Sequence, residues 1–183
     1  KKYIRDKFSF LGSDEELITE YFVEIFSWTV IPKNILLEID EILADTDILS
    51  NNGKKLTLID PCSGNSFHSF LFQEFCGRPS HAVDIQPEKN AWMETISMEG
   101  VKYLNSIANH QDKILLLSWI DYDELAHRLV KNFKGNIIIS VGNYENISFK
   151  YLKELHQNFI KIKNYDFIMP WNHEERLKIF VRR

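Results

Sequence analysis

Asp60-Pro61-Cys62-Ser63-Gly64-Asn65-Ser66 gathers an acid, a thiol, a glycine and three small polar side chains into seven positions. The four residues ahead of Asp60 include the apolar Leu56, Leu58 and Ile59, a run with the length of a buried strand. From Ser66 to Phe75 the apolar residues Phe67, Phe70, Leu71 and Phe75 recur at helical spacing, and Gly77 follows as a stop. A second short run, Ala82-Val83, closes on another acid, Asp84. Strand, small-residue turn, helix, strand, acid is the order of a nucleotide-binding βαβ unit. A helix entered this way points its first N–H groups across the strand's carboxyl end, where a ligand can meet them. An acid at the end of the next strand can accept both hydroxyls of a ribose. Asp84 lies 84 − 60 = 24 residues after Asp60, close to the spacing of about 20 expected. Only Gly64 in the turn is a glycine, so the three-glycine code that admits a pyrophosphate is missing and NAD or FAD ranks low.

The turn resembles motif I of the class I S-adenosylmethionine (SAM) methyltransferases, and especially the D-P-F-x-G-S-G form of several nucleic-acid methylases. Val83-Asp84-Ile85 resembles their motif II, with the ribose-binding acid followed by an apolar residue against adenine. The likeness extends over roughly residues 55–183. It implies a three-layer α/β fold with a Rossmann-like, seven-stranded, mostly parallel sheet, an antiparallel last strand and helices on both faces. It also implies SAM as cofactor, with contacts from Asp60, Cys62, Gly64, Ser66, Asp84, Ile85, Glu99 and Ser118. Glu99 enters as the acid of motif III, at the end of a short strand from Thr95. The alternative is one continuous helix from Pro87 to Ala108 with Glu99 on its solvated face.

Lys113 to Ser118 is a continuous apolar run, as a central parallel strand covered on both faces requires. Amino-nitrogen methylases follow this strand with Asp/Asn/Ser-Pro-Pro-Tyr/Phe, which accepts from the target amino group and stacks on an extruded base. Here the residues are Ser118-Trp119-Ile120-Asp121-Tyr122, similar also to a smaller group with Ser-Trp-Pro-Pro-Tyr. Ile120 and Asp121 replace the prolines and with them the rigid turn. Asp121 and Tyr122 are the candidate catalytic pair, able to take or steer the acceptor's proton. Asp121 to Asp123 capping a helix over Glu124–Phe133, with Trp119 in the core, is the competing reading.

The remaining elements must position these groups. Residues 1–50 read as an N-terminal helical cap: Ser13 and Glu16 form a capping box, and Pro32 opens a second helix with Ile35, Leu36, Ile39, Ile42 and Leu43 on one face. Trp28 to Pro32 either pack on the sheet, the preferred reading, or border the pocket. Pro87 to Glu94 suits a helix, Asn136 to Val141 a fifth strand, and Phe149, Leu152 and Leu155 an amphipathic helix. Ile160–Lys163 and Glu175–Val181 alternate as half-exposed strands do. The loop between them, Asp166 to His173, carries Trp171 and His173, the latter a possible base or simply an exposed histidine.

At 183 residues the chain is most simply one domain, 1–183. Its net charge of −4 gives no general attraction to nucleic acid or an anionic membrane, although Arg176, Lys178, Arg182 and Arg183 offer a local basic patch. No C-x-x-C or His pair suggests a metal, two cysteines suggest a reducing, intracellular compartment, and no apolar run approaches a membrane span. Two functions remain open: a SAM-dependent methyltransferase with acceptor unknown (nucleic acid, protein or small molecule), or a methyltransferase-like binding or stimulatory subunit without turnover, with a protein partner. A nicotinamide-dependent reductase is a distant third.

Overall fold

The structure, a computed structural model, describes residues 14–51, 53–120, 123–142, 149–168 and 174–183. Two helices lead, α1 (Asp14–Ile25) and α2 (Lys33–Asn51). They are followed by β1 (Thr57–Asp60), α3 (Phe67–Cys76), β2 (Ser80–Asp84), β3 (Thr95–Ser97) and α4 (Gly100–Ser106). The second half continues with β4 (Lys113–Ser118), α5 (Asp123–Asn132), β5 (Ile137–Gly142), α6 (Phe149–Asn158), β6 (Phe159–Ile168) and β7 (Glu174–Arg182). The seven strands form one sheet in the order β3-β2-β1-β4-β5-β7-β6, with β7 antiparallel to both of its neighbours.

Because side chains alternate along a strand, β4 feeds both faces of the sheet. Ile114 and Leu116 join Leu36, Ile39 and Leu43 of α2 and Phe72 of α3 in one core. Leu115 and Leu117 join Leu104 of α4, Leu129 and Phe133 of α5 and Leu155 of α6 in the other. The sheet thus lies between two helical layers, and the continuous apolar reading of β4 holds. The expected face of α2 holds as well, with Ile42 only partly buried.

The expected helix over Pro87 to Glu94 does not form, and neither does a continuous helix from Pro87 to Ala108. The chain is anchored from outside instead: the Trp92 amide donates to Asn65 O (2.8 Å), and the Met93 amide donates to the Ser66 hydroxyl (3.0 Å). These long-range partners replace intrahelical ones and lead directly into β3. Gly100 opens α4 against the turn after β1, where a Cβ would lie 2.5 Å from the Pro61 carbonyl oxygen. Strand β6 runs to Ile168, past the expected loop start at Asp166. Trp171 and His173 lie outside the described residues, as does Ser13 of the capping box. Among the described residues no helix is long and apolar enough to cross a membrane.

A buried ion cluster fixes α2 to the sheet. Arg78, fully buried, donates to both carboxylate oxygens of Asp47 (3.0 Å each), to Asp40 (2.7 Å) and to the Leu56 carbonyl (3.1 Å). Asp47 also accepts from the Leu56 amide (2.8 Å), and Lys55 bonds Asp40 (2.6 Å) and the Cys76 carbonyl. Removing one member of such a cluster leaves an uncompensated charge out of water. Arg78→Met is therefore expected to cost about 3–5 kcal/mol in urea unfolding; a loss below about 1 kcal/mol would show the cluster to be replaceable.

Candidate functional site

Strands β1 and β4 are adjacent, and the chain leaves them in opposite directions across the sheet, so their carboxyl ends border the crevice where ligands bind in such folds. A cavity of about 330 Å³ lies there. Asp60, Cys62, Gly64 and His68 line it from β1, its turn and α3. Ser118 and Trp119 do so from β4, Glu24 and Trp28 from α1 and the residues after it, and Glu88 from beyond β2.

The turn is closed by its neighbours. Gly64 and Ser66 both take left-handed backbone conformations, φ 52° and φ 60°. The Gly64 amide donates to Asp84 Oδ2 (2.9 Å), while Gln86 N donates to Asp84 Oδ1 (2.9 Å). The Asn65 amide group donates to the Ile25 and Phe26 carbonyls (3.2 and 2.7 Å), where the Trp92 indole also donates to Ile25 (2.6 Å). Phe22, Phe26, Phe67, Phe70 and Trp92 stack around this junction. The end of α1 and the turn are thereby one unit. The amides of Ser63, Gly64, Ser66 and Phe67 all have partners within the protein, which takes four donors from any phosphate at this turn.

Electrostatically the cavity joins a buried acid to a neutral imidazole. Asp60 is 2 % exposed; its Oδ2 accepts from the Ser69 hydroxyl (2.9 Å), and its Oδ1 has no hydrogen-bond partner. Burial pushes its carboxyl up to about 7, opposed by the Ser69 bond and the Cys62 amide and aided by the charge of Asp84. Burial pushes His68 down to about 4. His68 Nε2 faces the Thr29 carbonyl at 2.8 Å, which can only accept, so the ring's proton sits on Nε2. Nδ1 then accepts from the Ser118 hydroxyl at 2.9 Å, and the Ser118 oxygen is left with lone pairs alone to offer the cavity. The ring stays neutral around pH 7 and serves Ser118 as a hydrogen-bond acceptor. Cys62 is pushed up to about 12 by burial and by the charges of Asp60, Asp84 and Glu99, so its thiol stays protonated.

Of the sequence-predicted residues, Asp60, Cys62, Gly64 and Ser118 meet at the cavity. Asp84 stands behind the turn, each oxygen holding one amide and keeping a lone pair for a further donor. Ile85 is 73 % exposed beside it. Ser66 is buried, with its hydroxyl donating to Asn65 O and accepting from Met93, so it braces the turn and does not face the cavity. Glu99 is the N-cap of α4, accepting from the Lys102 amide at 2.7 Å and pairing with Arg128 at 3.5 Å; the solvated-helix alternative is replaced by a capping role. Asp121 and Tyr122 lie outside the described residues.

Trp28 lines the cavity while Ile31, three residues on, is core, so the segment packs and borders the pocket at once. Trp119, read as possible core, is also on the wall. Its ring lies 5.9 Å from that of Trp28, and its indole bonds the Thr29 hydroxyl. His68 and Glu88 were missed. His68 sits within an apolar helical stripe, and its place two residues into the helix after the turn was the available signal. Glu88 is brought in by an irregular segment that periodicity read as helix.

Strand order and crevice match a known architecture. The fold is that of the class I methyltransferases. Magnesium protoporphyrin IX methyltransferase (ChlM) from Synechocystis PCC 6803, solved with bound SAM, superposes with a TM-score of 0.53 over 94% of this chain and 99% of that one, at 13% identity. A SAM-dependent O-methyltransferase from Thermotoga maritima gives 0.55 over 84% and 66%, at 14% identity. TrmN from Thermus thermophilus gives 0.55 over 79% and 49%, at 9% identity. No protein-family model matches the chain, and no curated protein matches it in sequence.

Two outcomes follow from this geometry. In the folded chain Asp60 keeps its proton to about pH 7, whereas an unfolded aspartate releases it near 3.8. Between these values the folded state binds more protons, so stability falls as pH rises through the window and stays reduced above it. Asp60→Asn is expected to raise the melting temperature at about pH 8, with the gain vanishing below about pH 4; a gain equal at both pH values contradicts this. Asn65→Ala removes one of the two donors to the Ile25 carbonyl and the Asn65 bond to the Phe26 carbonyl, and should speed amide hydrogen exchange in residues 19–28 while leaving β4 and β5 protected.

Proposed function

We propose that this chain is a methyltransferase that holds SAM in the cavity between the ends of β1 and β4. The observation that carries the reading is Asp60 Oδ1, a buried acceptor without a partner that borders a cavity at the crevice. A cationic N–H donor completes it, and the ammonium of SAM is such a group. The fit extends outward: Asp84 retains acceptor capacity for ribose hydroxyls, and Ile85 offers an apolar surface beside it. The internal bonding of the Ser63, Gly64, Ser66 and Phe67 amides suits a ligand that has no phosphate.

Bound there, SAM supplies an electrophilic methyl on a sulfonium. The protein's part is positioning and the exclusion of water. Ser118, its proton held by His68, accepts from an N–H or O–H of the acceptor molecule, and Trp28 and Trp119 give that molecule an apolar wall. Asp121 and Tyr122 follow Ile120 in sequence and remain the proposed groups for the acceptor's proton. The acidic balance of the chain favours a small molecule or a protein side chain over nucleic acid as acceptor, and an intracellular setting follows from the cofactor. One observation favours a second reading, a binding subunit without turnover: Ile120 stands where a proline would stiffen the turn, and the preceding Trp119 takes a left-handed φ of 47°.

Titration calorimetry tests the proposal. SAM should bind with micromolar affinity. Near pH 6–7 binding should release a proton, because an ammonium beside Asp60 favours its ionised form. The measured heat then varies with the ionisation enthalpy of the buffer, and Asp60→Asn removes that variation. Absence of binding sinks the cofactor site; binding without methyl transfer to any acceptor is what the second reading expects.

A further inference from the structure

The hydroxyl of Ser118 has a set polarity. The Thr29 carbonyl holds the proton of His68 on Nε2 (2.8 Å), and His68 Nδ1 in turn takes the Ser118 proton (2.9 Å). A backbone carbonyl has no hydrogen to give and burial keeps the ring neutral, so this chain of bonds runs one way. Ser118 therefore presents lone pairs to the cavity it lines. A group that meets it must bring its own hydrogen. An uncharged N–H or O–H does so, whereas an ionised carboxylate or phosphate sets lone pair against lone pair. No Lys or Arg is among the described residues that line the cavity, so such an anion meets no counter-charge from them.

The next residue supplies the shape. Trp119 is held from three sides: its indole N–H donates to the Thr29 hydroxyl, its amide donates to Val141 O (3.0 Å), and Gly142 lies against its ring, where a Cβ would come to 3.6 Å. Its left-handed backbone, φ 47°, persists only where the surroundings impose it, and such strain collects at functional sites. Trp28, 47 % exposed, stands beside it with 5.9 Å between ring centroids and 36° between ring planes. Two indoles set at an angle on one wall form a corner. A third ring gains stacking and edge contacts there beyond the area it buries, and an aliphatic chain gains the area alone.

Resting on the methyltransferase reading above, we propose that the methyl acceptor is a small, uncharged aromatic amine or phenol, its ring in the Trp28–Trp119 corner and its N–H or O–H donated to Ser118, and that carboxylate acceptors are rejected. Such an acceptor gives a nitrogen or oxygen lone pair to the methyl carbon as the carbon–sulfur bond breaks onto sulfur, and its proton passes to the groups named above. Ser118 is a specificity residue, and His68, which acts through it, a positioning residue.

Titration of the full chain with aniline, phenol and benzoate at neutral pH, followed by saturation-transfer NMR, tests this. Aniline and phenol should bind about tenfold tighter than benzoate. Ser118→Ala should bring the three affinities to within about twofold of one another. His68→Phe, which frees the Ser118 hydroxyl to donate, should raise the affinity for benzoate. Trp28→Ala, at an exposed position, should weaken all three about fivefold without changing their order. Benzoate binding the wild type as tightly as phenol, a tenfold ratio unchanged by Ser118→Ala, or affinities unmoved by Trp28→Ala overturns the proposal. Calorimetry with S-adenosylhomocysteine separates the two readings. Heat without aromatic selectivity overturns this proposal and leaves the cofactor site standing; selectivity without heat overturns the cofactor reading, and methyl transfer with it.

Discussion

The bond from the Gly64 amide to Asp84 Oδ2 joins the first strand's turn to the end of the second strand, and the shape of the site depends on it. With a single glycine, the turn cannot reach its tight conformation through backbone freedom alone. Ser66 must take a left-handed conformation that a residue with a Cβ disfavours. Three side chains hold it there: Asp84 from β2, Asn65 toward the end of α1, and the Ser66 hydroxyl toward Met93. Polar bonds thus do the work that additional glycines do in other turns, and they occupy the amides of Ser63, Gly64, Ser66 and Phe67. One constraint sets both the geometry of the crevice and how many of its amides a ligand can use.

Around that turn, burial acts in opposite directions on two groups. It keeps the Asp60 carboxyl protonated to higher pH and keeps the His68 ring neutral to lower pH. Both therefore resist charge until something completes them. For His68 the completion is internal, with the Thr29 carbonyl on one nitrogen and Ser118 on the other. For Asp60 it is partly internal, through Ser69 and the Cys62 amide, while Oδ1 has no hydrogen-bond partner. One group in this wall is closed on both sides and the other keeps an open acceptor.

Much of the architecture was legible in the sequence because it rests on local rules. The apolar run of β4, the Ser66-to-Gly77 helix and the spacing from Asp60 to Asp84 each follow from periodicity or turn chemistry, and each stands in the structure. Where long-range bonds override local preference, the reading failed. Residues 87–94 carry helix-compatible spacing, yet Asn65 and Ser66 capture Trp92 and Met93 and pull the segment straight, which brings Glu88 to the cavity. Glu99 was legible as an acid just after a short strand, but cap and motif acid look the same in sequence. His68 was hidden because a histidine in an apolar helical stripe reads as core, and only the facing Ser118 and Thr29 give it a purpose.

The Arg78 cluster carries a consequence for how the sequence can drift. Asp40 and Asp47 belong to α2, Arg78 to the loop before β2, and the fully buried guanidinium satisfies both acids at once. No single replacement preserves neutrality there, whereas exchanging Arg78, Asp40, Asp47 and their fourth member Lys55 together does. Descendants of this chain are expected to inherit the group whole or to lose it whole, with few intermediates surviving.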